Sequence, residues 1–307
     1  MITAFHISDA LRCLLVGAPR GTNHAATTES VVRFRPLRNS TFWCQSIARD
    51  PNRVTVGDWK GMDVYSLASA RIRNGVRSWE VDRLHLPDQE LETALDLLEQ
   101  VVQCAGSKGA ERVFMRVSSD SPIADMARKT GFYPYFEEIH LTGEKPSGGS
   151  SGSAGKASDG PSEFFADQPS AADSHALFQL YCAATPHRVR EGVGVTIDQW
   201  HDSQEPAQTH GKQTVLKHNE KIVGWLTHQP FGKTSAGQLQ WHPNHPGAVS
   251  QLVQLSHQTQ NWLIPSYQEN MSELLTRRVL KEAGRYIMLI KTVTVPVRNR
   301  ELSYVEA

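Results

Sequence analysis

ADMARKTGFYPYFEEIHL, residues Ala124 to Leu141, decides how the rest of the chain is read. Pro122 opens a short helix over 121–129 and Gly131 closes it. Over 136–141 aromatic and branched residues then alternate with polar and acidic ones, the period of a strand. A short helix running into a closing strand is one half of an α/β unit, and the other half lies just upstream. SWEVDRLHL (78–86) is a strand with branched residues between charged ones. The segment 88–105 sets Leu91, Ala94, Leu95, Leu98, Val101 and Val102 at helical spacing, with Asp88 as N-cap and Gly106 as the stop. A strand over 112–117 joins the two helices. Short runs at 54–56 and 64–73, parted by Gly61, precede them as an antiparallel meander.

The second half repeats this order. A helix over 175–184 ends before Pro186. A hairpin follows, 213–218 and 221–229, turning at Asn219 and Glu220. Then come a strand at 236–242, a helix at 248–258, a strand at 261–264, a helix at 269–282 closed by Gly284, and a strand at 286–293. The two halves read as copies of one unit, matched in order and length rather than in residue identity.

Between the copies the composition changes. From Gly143 to Ser174, Gly, Ser, Pro and Ala crowd out the branched residues that a core requires. The chain of 307 residues is therefore divided into a first domain over 1–142, a Gly/Ser-rich flexible linker over 143–162, and a second domain over 163–307. Lys+Arg and Asp+Glu both number 32, so no basic surface for nucleic acid or anionic lipid is expected. No apolar run is long enough to span a bilayer and no signal core opens the sequence, so a cytoplasmic protein is expected. The four cysteines are too scattered for a disulfide framework or a zinc site.

The residues of both halves resemble the GCN5-related N-acetyltransferases (GNAT). WEVDRLHLPD (79–88), the long helix, GAERVFMRV (109–117) and ADMARKTGFYPYFEEIHL (124–141) carry the resemblance in the first half. LFQLYCAATPHRVREGVGVTIDQW (177–200), EKIVGWL (220–226) and YIMLIKTVTVPVR (286–298) carry it more weakly in the second. The fold implied is α+β, two GNAT-like domains in tandem, each a mixed, mostly antiparallel sheet flanked by helices. The activity implied is acyl transfer from acetyl-CoA, as co-substrate, to a small-molecule amine.

One motif departs from the family. Its turn before the long helix carries glycines, because bare N–H groups at a helix start must cradle the coenzyme pyrophosphate. Here that turn has no glycine and holds Asp88, Glu90 and Glu92, three negative charges at an anion site. The second copy reads WHPNHPGA (241–248), with two prolines that lack N–H donors and one glycine. The second turn is the less hostile, and His242, Asn244, Gly247 and Ala248 are its coenzyme-binding candidates.

For catalysis, Glu80 and Asp82 share one face of strand 78–86, where the family often keeps a general base; a strand face that is solvated or paired beside Arg83 is the plain alternative. Tyr267 stands before the last helix, near the family's tyrosine general acid, against the alternative of a surface tyrosine. His242 and His245 lack a third ligand, so no metal site is expected. The arginines of PHRVREG (186–192) offer cationic donors for a carboxylate or phosphate; a solvated or domain-interface loop is the plain reading. Beside the acyltransferase reading stand two others: a catalytically inactive tandem that binds a small metabolite or a partner, and a scaffold whose copies pack together or form a homodimer.

Overall fold

The computed structural model describes residues 2–4, 21–33, 50–61, 63–87, 91–143, 163–256, 259–268, 275 and 280–293. Asp88, Gln89 and Glu90 of the acidic turn, and all of the expected linker after Gly143, lie outside them.

The first half runs β1 (Ile2–Ala4), β2 (Thr22–Asn23), α1 (Thr28–Val32), β3 (Arg53–Lys60), β4 (Asp63–Ile72), β5 (Ser78–Leu86), α2 (Glu92–Ser107), β6 (Arg112–Ser118), α3 (Ile123–Lys129) and β7 (Tyr133–Thr142). The meander is as the alternation predicts: β3, β4 and β5 pair antiparallel. The long helix starts later than expected, with Leu91 rather than Asp88 at the N-cap position, and passes Gly106. The left-handed residue after it is Gly109, at φ +97°.

The second half runs β8 (Phe165–Asp167), α4 (Ser174–Ala184), α5 (His187–Val193), α6 (Ile197–Ser203), α7 (Pro206–His210), β9 (Lys212–His218), β10 (Lys221–Phe231), β11 (Thr234–Trp241), α8 (Gly247–Leu255), β12 (Asn261–Pro265), a 3-10 turn (Ser266–Gln268) and β13 (Lys281–Thr292). The hairpin turns where expected, with Asn219 at φ 48° and Glu220 at φ 64°. Two expectations are corrected. The arginines after Pro186 lie on α5, whose Val189 and Gly192 are buried. The helix expected over 269–282 lies largely outside the described residues, but its last two positions, Lys281 and Glu282, belong to β13; Gly284 marks a register shift in that strand, not a helix stop.

Among the described residues the strands form one sheet in the order β1-β3-β4-β5-β6-β13-β7-β12-β11-β10-β9-β8, with β2 paired to β5. The centre of this order is an exchange. β13, the last described strand of the second half, pairs antiparallel with β6, Tyr286 opposite Ser118 and Thr292 opposite Arg112. β7, the last strand of the first half, pairs with β12, Asn261 opposite Thr142 and Pro265 opposite Glu138. The two exchanged strands pair with each other. The cores record the same swap. Leu289 of β13 is buried with Trp79, Leu98 and Met115 in the first core, and Ile139 and Leu141 of β7 with Leu252 and Trp262 in the second. Among the described residues no helix is long and apolar enough to cross a membrane.

Candidate functional site

Among the described residues, each half contains one pair of parallel strands that meet and then part. Parting leaves backbone N–H and C=O groups facing a wedge, where an extended chain or ligand with amide groups can pair with them as a strand would.

In the first half, β5 and β6 pair only from Ser78 opposite Arg112 to Val81 opposite Met115. The wedge beyond is filled by the protein's own chain. Thr22 and Asn23 pair with Leu86 and His85. The His24 N–H donates to the Leu84 carbonyl at 2.8 Å, and the Ala26 N–H to the Arg116 carbonyl at 2.8 Å on the opposite rim. Asn23 Oδ1 accepts from the Leu84 N–H at 2.8 Å, and Ala25 is 1% exposed. Gly21, at φ +122°, lets the segment enter, since a Cβ there would collide with the Leu86 carbonyl.

The two carboxylates singled out on β5 are held in ion pairs. Glu80 takes Arg71 on one oxygen at 2.6 Å and Arg73 on the other at 3.2 Å. Asp82 takes Arg53 at 2.6 Å and the Ser69 hydroxyl at 2.7 Å. Burial alone would raise the Asp82 carboxyl, but the guanidinium groups of Arg53, Arg83 and Arg71 hold it below its ordinary value.

In the second half, β11 and β12 pair only at Ala236 with Asn261 and Gly237 with Trp262. Beyond these residues lies a cavity of about 100 Å³. Gln238 and Gln240 of β11 line one wall, beside Trp225 and Thr227 of β10. Their amide oxygens are buried and accept no hydrogen bond from the protein. Tyr267, just past the end of β12, lines the cavity, its ring edge-on to Phe136 at 5.6 Å. Trp200 and Tyr181 supply a second aromatic wall, their ring centroids 5.8 Å apart.

The polar end of this cavity comes from both halves. Glu138 of the exchanged strand β7, 3% exposed, opens onto it together with Glu205 and Arg73. Arg116 bridges the two carboxylates: Nε stands 2.9 Å from Glu138 Oε2 and Nη2 stands 2.8 Å from Glu205 Oε1. Burial is the largest influence on Glu138. Arg116 opposes it and the Glu205 charge adds to it, so the carboxyl is pushed up to about 7. Glu205 goes the other way. Burial raises it, but Arg116, Arg73 and the Thr28 hydroxyl outweigh burial and hold it low. Burial also raises the Tyr267 phenol, with the Thr185 hydroxyl acting against it.

The expected coenzyme residues lie outside this cavity. His242 and Asn244 border a separate hollow beside Lys221 and Gln179. Gly247 and Ala248 open α8. The His242 and His245 rings stand 5.6 Å apart, and no group of three His, Cys, Asp or Glu placed to hold a metal occurs among the described residues. Glu138 and Glu205 were not singled out from the sequence. The acidic pair in FEEIHL is visible there, but only the exchange carries Glu138 into the middle of a shared sheet.

No protein-family model and no curated protein matches the sequence. Solved structures match it along nearly its whole length. A GCN5-related N-acetyltransferase from Sphaerobacter thermophilus is 14% identical, with 95% of each chain covered and a TM-score of 0.54. A tandem GNAT protein from the clavulanic acid biosynthesis pathway is 11% identical, covering 95% of this chain and 98% of that one at a TM-score of 0.50. The fold is that of a tandem GNAT protein. A Drosophila protein, 13% identical with 95% and 98% covered, reaches the same TM-score of 0.50. At such identities the likeness is one of fold, and chemistry has to be argued from the site.

The GNAT fold implies acetyl-CoA, and the two wedges fit it differently. The first does not fit, because residues 22–26 already hold both rims. The second leaves a cavity lined by Gln238 of β11, Leu263 and Pro265 of β12, and Tyr267. Its outer end fits a diphosphate poorly. Pro243 and Pro246 carry no N–H, the Ala248 N–H is spent on the His245 carbonyl at 3.0 Å, and a Cβ on Gly247 would meet the Phe164 ring at 3.3 Å.

Proposed function

We propose that the chain is an acyl-CoA-dependent N-acyltransferase with a single working cleft, between β11 and β12, acting on a compact amine. The observation that carries this reading is the open second wedge, where a buried carboxyl near neutrality and a buried phenol face one cavity. A bound acyl thioester supplies the acyl group, its carbonyl carbon forming the C–N bond as the C–S bond breaks. Glu138 takes the proton that the amine nitrogen loses. A carboxyl near 7 suits that role, since it is partly ionised at neutral pH yet a far stronger base than an ordinary glutamate. Tyr267 keeps its proton throughout the neutral range and donates to the departing sulfur. Gln238 and Gln240 offer amide oxygens to the N–H groups of the amine. The cavity is smaller than the roughly 300 Å³ at which drug-sized pockets begin, which limits the acceptor to a compact group.

The test is release of free thiol from acetyl-CoA in the presence of small primary amines, run beside a thermal titration with acetyl-CoA alone. Ligand at about a hundred times Kd stabilises by about 2.7 kcal/mol, seen as a rise of several degrees. The prolines before α8 favour one alternative, an inactive tandem that binds a small metabolite. Stabilisation by an amine but not by acetyl-CoA, without thiol release, would select it.

A further inference from the structure

Glu205 is gripped from three directions. The Thr28 hydroxyl donates to its Oε2, Arg116 Nη2 reaches Oε1 at 2.8 Å, and Arg73 Nη2 lies 3.7 Å from the same oxygen. Thr28 opens α1, directly after the segment that fills the first wedge, and is 3% exposed. Its hydroxyl also accepts from Arg116 Nη1 at 3.3 Å. Arg116 is thus fixed at both ends, its backbone carbonyl by the Ala26 N–H and its guanidinium by Thr28 and Glu205. The same guanidinium stands in an ion pair with Glu138, Nε 2.9 Å from Oε2 but without the angle of a hydrogen bond. A segment lodged in the first half therefore reaches a carboxyl of the second-half cavity through two side chains.

We propose that Thr28 and Arg116 are positioning residues: the segment closing the first wedge latches Arg116, and Arg116 holds the Glu138 carboxyl in place at the cavity. The proposal rests on Glu138 being the proton acceptor of the reaction. It assigns the filled wedge a task in the other half of the molecule.

The groups facing Glu138 are Arg116 from β6, Arg73 from the end of β4, Glu205 from the start of α7, Tyr286 from β13, Tyr135 from its own strand and Tyr267 from the 3-10 turn. The two carboxyls compete for one proton. Removing the Thr28 hydroxyl takes away one support of the Arg116 guanidinium, which then faces Glu138 less well. Arg116 is the cation that opposes the burial of Glu138, so the Glu138 midpoint rises.

The experiment is the Glu138 side-chain carboxyl ¹³C titration in the full chain, assigned with Glu138→Gln, for wild type, Thr28→Val and Thr28→Ser. Thr28→Val keeps the volume and drops the donor; Thr28→Ser keeps the donor. The expected result for Thr28→Val is a midpoint higher by about one pH unit, a tenfold gain of proton affinity. The acid limb of turnover moves with it, kcat falls, and KM for the amine changes little, while Thr28→Ser tracks wild type. A moved midpoint in a chain without turnover supports the latch and overturns the proposed reaction. A midpoint unmoved by Thr28→Val overturns the latch, whether or not the chain turns over.

Discussion

Cutting the chain between its halves leaves them bound to each other, because the strand that completes each half is supplied by the other. A specific protease site placed within 146–156 allows one cut without touching any described element. Separation after that cut would expose Met288, Leu289 and Ile290 of β13 on one fragment and Ile139 and Leu141 of β7 on the other, all at most 9% exposed in the intact chain. Side chains of this size contribute about 1.5–3 kcal/mol each on burial, together about 8–15 kcal/mol. The ladders from β13 to β6 and β7, and from β7 to β12, add about 1 kcal/mol net per hydrogen bond. Against them stands an association cost of about 4–15 kcal/mol. The middle of these ranges leaves more than the roughly 8 kcal/mol that corresponds to a micromolar Kd. Size-exclusion chromatography of the cut protein at about 1 µM should give one peak at the mass of the uncut chain, resolved into two bands only under denaturing conditions. Two separate peaks without denaturant would refute the exchange.

Other predictions follow from the same contacts. Leu289→Ala should destabilise by about 2–5 kcal/mol and weaken the first core, although residue 289 belongs to the second half; amide exchange around Trp79 and Met115 reads this out. Tyr267→Phe should lower turnover by about 10²-fold with little change in coenzyme affinity, whereas Glu80→Gln, outside the cavity, should leave the rate within about twofold. The Glu138 carboxyl rises from an ordinary 4.5 to about 7 on folding, so the native state binds that proton more tightly than the unfolded chain. Its contribution is complete below about pH 4.5 and is lost as pH rises through 7. Stability curves of wild type and Glu138→Gln should therefore converge in slope above pH 7 and differ between these limits. Equal slopes from pH 4.5 to 7 would contradict the burial assigned to Glu138.

Local chemistry made much of the fold legible. The alternation of SWEVDRLHL, the Asn219-Glu220 turn and the helix signals around Pro122 and Gly131 depend on neighbours in sequence, and the structure has those elements. What the sequence hid is long-range. β13 reads as the closing strand of the second unit, and nothing in YIMLIK distinguishes pairing with β12 from pairing with β6 and β7. The site was hidden by the same fact. Glu80 and Asp82 are conspicuous beside a strand, but arginines on neighbouring strands neutralise them. Glu138 looks like one of two surface acids until the exchange buries it. Tyr267, singled out for its place before the last helix and by the resemblance, lines the cavity.

The central claim is that one wedge works and the other is closed by the chain itself. A crystal structure of the full protein soaked with acetyl-CoA tests it most directly. The account predicts one coenzyme per chain, its thioester between β11 and β12 within reach of Tyr267 and Glu138, and residues 22–26 still paired to Leu84, Leu86 and Arg116. A thioester between β5 and β6, with residues 22–26 displaced, would contradict it.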